Sequence, residues 1–254
     1  MSVIVQVGQA GCQIGDELWR ILGAERKRRR GAGASELFSE QPGGGFEARC
    51  VMIDSESKGL GGLLKQPWIS RDNVVTDPNQ MGRGNNWAYG YARDESAEPA
   101  QFDGGSLVSR AVERVRKVVE SLDIYEGCTM LHSLSGGTGS GVGTRLLEEL
   151  REAYPMHYLT SCPVVPFHHG EAALQHYNSA MTMAALQQHA DAVLLTHNQE
   201  VLKLLVDRKP RQRDSAGGAA AAVRLPPPLL PRSMRVPCTW LTSAPCSSFL
   251  WDSP

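Results

Sequence analysis

Neither an excess of charge nor a long apolar run marks this chain. Its 254 residues carry 26 lysines and arginines against 27 aspartates and glutamates, so it lacks the basic field that nucleic-acid binding requires. No apolar run approaches the roughly 18 residues of a membrane span. The opening Met1-Ser2-Val3-Ile4-Val5-Gln6-Val7 has neither the charged start nor the apolar centre of a secretory leader. The six cysteines are scattered, without a Cys-x-x-Cys pair, which argues for reduced thiols in the cytosol and against a zinc site or a disulfide framework. Two phosphate signatures are also missing. No Gly-Lys-Ser/Thr ends a glycine loop, and no three-glycine dinucleotide fingerprint is followed by an acidic residue about 20 positions on. A P-loop enzyme and a dehydrogenase are both disfavoured.

Glycine is what the chain has, in concentrated blocks. Leu134–Gly143 holds five glycines in ten residues. The short apolar run Cys128–His132 before it reads as a buried strand, and Thr144–Leu150 after it has helical spacing. Strand, glycine loop, helix is the order that sets free backbone N–H groups around an anion. Glycine lets the main chain approach closely, and Thr138 and Ser140 offer hydroxyl donors. The block reads as a phosphate cradle, in which a side chain at Gly139 would obstruct the incoming phosphate.

A second unit of this kind opens the chain. Val3–Val7 reads as a strand, Gly8–Gly15 as its glycine loop and Asp16–Leu22 as a helix, the arrangement by which α/β sheets bind phosphate. The basic run Glu25–Arg30 reads as a solvated loop. Ala48–Asp54 is another strand, and the Asp54/Glu56 pair at its end suits magnesium, a hard cation that takes oxygen ligands beside phosphates. Gly82–Tyr91 offers small and amide side chains to phosphate, with aromatics that anchor the loop. Ser106–Leu122 has the spacing of an amphipathic helix. Tyr158–Pro166 reads as a strand, Phe167–Glu171 as a loop, Gln175–His189 as a helix and Ala192–Thr196 as a strand. The adjacent His168 and His169 diverge and have no third partner, which weighs against a metal. The alternation predicts an α/β fold with a doubly wound, mostly parallel sheet.

Ser133-Leu134-Ser135-Gly136-Gly137-Thr138-Gly139-Ser140-Gly141 resembles the glycine-rich signature of the tubulin family, with Ser135 where a first glycine usually stands. Gly8–Gly15 is similar to the first nucleotide loop of tubulins and Gly82–Tyr91 to the third. The Tyr89-Gly90-Tyr91 ending looks like the divergent delta- or zeta-type members. The resemblance covers residues 1–205 and implies a tubulin-type GTP-binding domain that takes GTP or GDP with magnesium. Carried over, Gly8, Gln9, Ala10 and Gln13 line the first loop, with Gln9 at the magnesium–phosphate end and Gln13 near the base. Asp54 and Glu56 face the magnesium and its waters. Asn85, Gly136, Gly137, Thr138, Gly139 and Ser140 hold the phosphates, Glu171 approaches the ribose, and Asn198 contacts the guanine. The implied partners are other tubulin subunits or microtubule-based structures in the cytoplasm and cytoskeleton, centrioles and basal bodies among them.

Beyond residue 205 the resemblance stops. Eight of the 15 prolines lie at or beyond Pro210, which forbids a continuous helix there. Residues 206–254 match neither the core helix nor the later domains of tubulins, and the expectation is an aberrant, Pro/Ala-rich end. In the family the catalytic groups come from the next subunit's later elements, so turnover by this chain is left open. Two alternatives stand beside a working cytoskeletal subunit: a nucleotide-dependent enzyme of another class, and a truncated product that neither binds nor polymerises.

Overall fold

The computed structural model describes residues 1–28, 36–41, 45–57, 60, 66–92, 106–169 and 172–207. The proline-rich end, Glu171, and Arg29 and Arg30 of the basic run lie outside the described residues. Strands β1 (Ser2–Val7), β4 (Cys50–Asp54), β5 (Val74–Thr76), β6 (Gly127–Ser133) and β7 (Tyr158–Val165) form one sheet with β8 (Ala192–Val193) and β9 (Thr196–His197). Its order is β5-β4-β1-β6-β7-β8, with β9 also on β7, and every pairing is parallel. A separate antiparallel hairpin joins β2 (Phe38–Glu40) to β3 (Phe46–Ala48). The strand expected over Ala192–Thr196 is split in two. Ala192 and Val193 pair with Thr160 and Ser161, and Thr196 and His197 with Val164 and Val165.

Helices cover both faces, which is why the strands read as continuous apolar runs. The period of two still sorts them. Val3, Val5, Val7, Val51, Ile53, Cys128 and Met130 pack with α3 (Leu107–Glu120), α4 (Gly143–Ala153) and Leu186 of α5 (Gln175–His189). Ile4, Cys50, Met52 and Leu131 pack on the opposite face with Cys12, Trp19 and Leu22 of α1 (Gly8–Arg28). Two short helices complete the set, α2 (Trp87–Ala92) and α6 (Asn198–Asp207).

Three elements depart from the sequence reading. The stretch Gly8–Gly15 is no loop, since α1 begins at Gly8. A Cβ at Gly11 would collide with the Leu131 carbonyl and one at Gly15 with the Gln6 amide, so the glycines let this helix lie directly on the sheet. That tertiary contact outweighs their poor helix propensity. Likewise Gly137–Val142 forms a π-helical turn that runs straight into α4. The basic run is not all loop either. Through Arg28 it continues α1, and Arg26 is 9% exposed, its guanidinium 5.7 and 4.9 Å from the ring centres of Phe38 and Phe46. The aliphatic stem of arginine buries readily when the head finds aromatic faces.

Candidate nucleotide site

In a doubly wound sheet the ligand site lies at the carboxyl ends of strands where the winding reverses. Here that point lies beside β1, whose neighbours β4 and β6 stand on opposite sides. The two glycine blocks follow β1 and β6 and therefore meet. Gly8 has φ +72°, and a Cβ on it would lie 2.8 Å from the Gly139 nitrogen. Only glycine combines that left-handed backbone with so close an approach. The starts of α1 and of the π-turn thus present their free N–H groups side by side.

Above them opens a cavity of about 1250 Å³. Of the residues singled out from the sequence, Gln9, Ala10, Gln13, Asp54, Glu56, Asn85, Gly136, Gly137, Thr138, Gly139 and Asn198 line it. The strand order sets Asp54 and Glu56, after β4, on one side of the glycine turns and Asn198, after β9, on the other. Four strand spacings separate those ends, about 19 Å, room for a base, a sugar and a phosphate chain in succession. Gly8 does not line the cavity but supports its floor. Ser140 is fully buried, and its hydroxyl donates to the Gly136 carbonyl. In a helical turn a serine back-bonds to the carbonyl four residues earlier, so that hydroxyl is spent within the turn instead of facing the cavity.

The remaining wall also uses Ser55, Asn178 and Gln175, which the sequence reading did not assign to the site. Thr138 Oγ1 and Ser55 Oγ are 2.7 Å apart, tying the glycine turn to the end of β4. Asn178 of α5 donates from Nδ2 to the carbonyls of Asn85 and Ser135, both at 2.7 Å, and accepts from the Trp87 N–H at 3.0 Å. One amide, 2% exposed, thus holds α5, the glycine turn and the Gly82–Trp87 segment together. In that segment Gly84 and Asn85 both have positive φ, +56° and +52°, a curl that glycine and asparagine tolerate best. Ser133, Arg83, Gly84 and Gln175 also line the cavity. Of the two adjacent histidines only His169 does, and no group of three His, Cys, Asp or Glu side chains among the described residues is arranged to hold a metal.

Two titratable groups are displaced by burial. The Asp54 carboxyl is pushed up to about 6, chiefly by desolvation, against the lowering effect of the Ser55 and Glu56 N–H groups. His132 of β6 is pushed down to about 4, again chiefly by desolvation. Its Nδ1 lies 3.0 Å from the Gly139 carbonyl and must be the protonated nitrogen, and Nε2 accepts from Ser161 Oγ at 2.8 Å. A neutral imidazole therefore props the glycine turn from below.

The model of the Tubulin/FtsZ family, GTPase domain, matches residues 2–206. The chain belongs to the Tubulin/FtsZ family. The fold just described is that family's GTPase domain, an α/β sheet with its cavity at the strand ends. Membership makes this a GTP-binding, cytoskeletal type of protein. Among the described residues no helix is long and apolar enough to cross a membrane.

The prop beneath the turn in this GTPase domain has a measurable signature. His132 takes up a proton in the unfolded chain near 6.5 but in the folded one only near 4. Between those values the unfolded state binds more protons, so the histidine's contribution is present above 6.5 and is lost as the pH falls towards 4. From pH 7 to pH 5 the loss is about 2 kcal/mol. Asp54 runs the opposite way. Its folded value exceeds its unfolded one, so its contribution is present below 3.8 and lost as the pH rises through about 6. Denaturant unfolding at the two pH values, compared between the natural protein and His132→Gln, isolates the histidine. The variant is expected to lose the acid-side decline; an unchanged slope would show that the imidazole does not stay neutral.

Proposed function

We propose that the cavity binds GTP or GDP with magnesium, and that the chain acts as a cytoskeletal subunit associating with other tubulin subunits or microtubule-based structures. The observation that carries this is the meeting of two glycine-started helical turns over one cavity, with a carboxylate pair at one end and Asn198 at the other. Phosphates would lie on the N–H groups of the first turn of α1 and of Gly136–Gly139. Asp54 and Glu56 fit magnesium. Both line the cavity, and a divalent cation with its waters would offset the desolvation that now raises the Asp54 carboxyl. Asn198 and Gln13 both line the cavity and would read the guanine edge on this reading. For the ribose, Glu171 remains the reading carried by the resemblance, and Gln175 is the neighbour on the cavity wall.

Residues 1–205 form the nucleotide-binding unit on this reading. The Tyr89-Gly90-Tyr91 ending favours a delta- or zeta-type tubulin over the alpha and beta subunits, with a cytoplasmic location that includes centrioles or basal bodies. Exposed Leu174, Tyr177 and Met181 surround a second hollow of about 320 Å³ beside Trp87. Exposed apolar groups next to the nucleotide mouth suit a surface that another subunit covers.

Competition between GTP and ATP for a fluorescent guanine nucleotide tests the base assignment. A buried amide left unpaired by the wrong base costs about 1–3 kcal/mol, roughly 10- to 100-fold in affinity. GTP is expected to win by that margin. Equal displacement by both nucleotides would overturn the guanine reading.

A further inference from the structure

We propose that Ser55 is a positioning residue whose hydroxyl aims that of Thr138 at the bound phosphate. The proposal rests on the guanine-nucleotide reading of the cavity. Ser55 Oγ and Thr138 Oγ1 lie 2.7 Å apart, and both residues line the cavity. Among the described residues neither hydroxyl makes a second hydrogen bond. A hydroxyl has one proton and two lone pairs. The pair therefore holds one proton between its oxygens and keeps the other to spend.

An ionised phosphate accepts hydrogen bonds and donates none. With one on the glycine turn, Thr138 must donate to it, and the proton between the two oxygens must then come from Ser55. The serine thus settles a direction that the pair alone leaves open. Bonds in such a chain polarise one another, so the donor that meets the phosphate is strengthened by the one behind it. Ser140, two residues on in the same turn, shows the alternative. Its hydroxyl donates to the Gly136 carbonyl, the usual back-bond of a serine or threonine in a helical turn. Thr138 escapes that fate because Ser55, at the end of another strand, gives it a partner outside the turn.

The serine is itself held. It is 2% exposed and directly follows Asp54, the last residue of β4. Its N–H, with that of Glu56, is bonded to the Asp54 carboxyl. Two residues on, the Ser57 N–H donates to Gln80 Oε1 at 2.6 Å. Main-chain anchors of this kind leave Oγ little freedom, which is what a pre-organised donor needs. Thr138 is supported as well, since a Cβ on Gly8 would stand 3.5 Å from its Cβ. The carboxylate strand and the phosphate turn are thus joined by a bond between side chains 83 residues apart.

The test is equilibrium titration of the full chain with a non-hydrolysable GTP analogue in magnesium, beside a melting curve for each protein. Ser55→Ala is expected to weaken the analogue by about 2- to 13-fold, the span of one neutral hydrogen bond. Thr138→Val is expected to weaken it by about 10- to 150-fold, the range for a bond to a charged group. Added to Thr138→Val, Ser55→Ala should cost less than about twofold more, because the serine acts only through the threonine. Ser55→Cys keeps the shape with a weak donor and should bind no better than alanine. An equal loss from Ser55→Ala in both backgrounds would make the serine a structural prop and overturn the proposal. Natural affinity in the alanine, cysteine or valine protein would overturn it too, as would loss of cooperative melting in the alanine protein. No binding of the analogue by the natural protein would instead overturn the reading of the cavity, and the serine's role with it.

Discussion

Gly139→Val is expected to remove nucleotide binding, by more than about 100-fold, while leaving the sheet intact. The sequence reading places a valine there in the path of the phosphate. The structure gives a different cause. A Cβ on Gly139 would run into the end of β6, 2.6 Å from Ser133 Oγ and 2.9 Å from the Ser133 nitrogen. Those separations are far inside van der Waals contact, and the Ser133 nitrogen is backbone, which cannot swing aside. The turn must therefore lift off the strand. Its nitrogen already lies against Gly8, and its carbonyl accepts from His132, so both glycine turns shift together. Phosphate contacts demand donors held within a few tenths of an ångström. Titration with a fluorescent GTP analogue, beside a thermal melt, measures the two effects separately. Unchanged affinity would dismiss this turn as the phosphate cradle. By contrast, Gly136 meets only the Ser133 hydroxyl, at 3.2 Å, so it is there that a side chain would enter the cavity itself.

Asn178→Ala is expected to be the most damaging change outside the glycine turns. It removes the partner of the carbonyls of Asn85 and Ser135 and of the N–H of Trp87, three part-buried bonds of one amide. At about 1 kcal/mol each, the loss is about 3 kcal/mol, or about 6–12 °C in melting temperature for a domain of this size. Asn85 and Ser135 both line the cavity, so GTP affinity should fall at least tenfold as well. Asn178→Asp is the sharper variant. It keeps the shape and the acceptor for Trp87 but turns an oxygen towards two carbonyls, and it buries a charge. Aspartate should therefore bind GTP no better than alanine. Natural affinity in the aspartate protein would show that the amide does not organise the site.

Much of the site is legible in the sequence because glycine blocks and strand-end carboxylates follow from local chemistry. Strand, glycine and helix order is enough to bring Asp54 and Gly136 to one cavity, whereas Gln9 and Asn198 come from the family resemblance. What escapes is whatever depends on contacts across the fold. Gly8–Gly15 reads as a loop because eight residues with three glycines make a poor helix alone. It becomes helix because Gly11 and Gly15 fit under β6 and Gln6. The burial of Arg83 escapes because it depends on Asp77, six residues earlier, pairing with it in the fold. Asn178 gives no signal, being one amide in a helix whose burial only tertiary packing decides.

The sheet's parallel wiring also sets the order in which the molecule can be completed during synthesis. Strand β1 emerges first, yet its two neighbours pair Val7 with Ile53 on one side and Ser2 with Gly127 on the other. A ribosome adding about 5–20 residues per second needs roughly 6–25 s to deliver β6 after β1. Through that interval β1 keeps an open edge, and Gly11 of α1 lacks the Leu131 carbonyl of β6 against which it packs. A helix with glycine along its inner face has little stability of its own. The nucleotide cradle can therefore close only late, when β6 slides under α1 and brings the second glycine turn with it. Long-range parallel pairing of this kind is slow and exposes strand edges while it waits, so the nascent chain is at greatest risk of misassociation before the site that defines the folded protein exists.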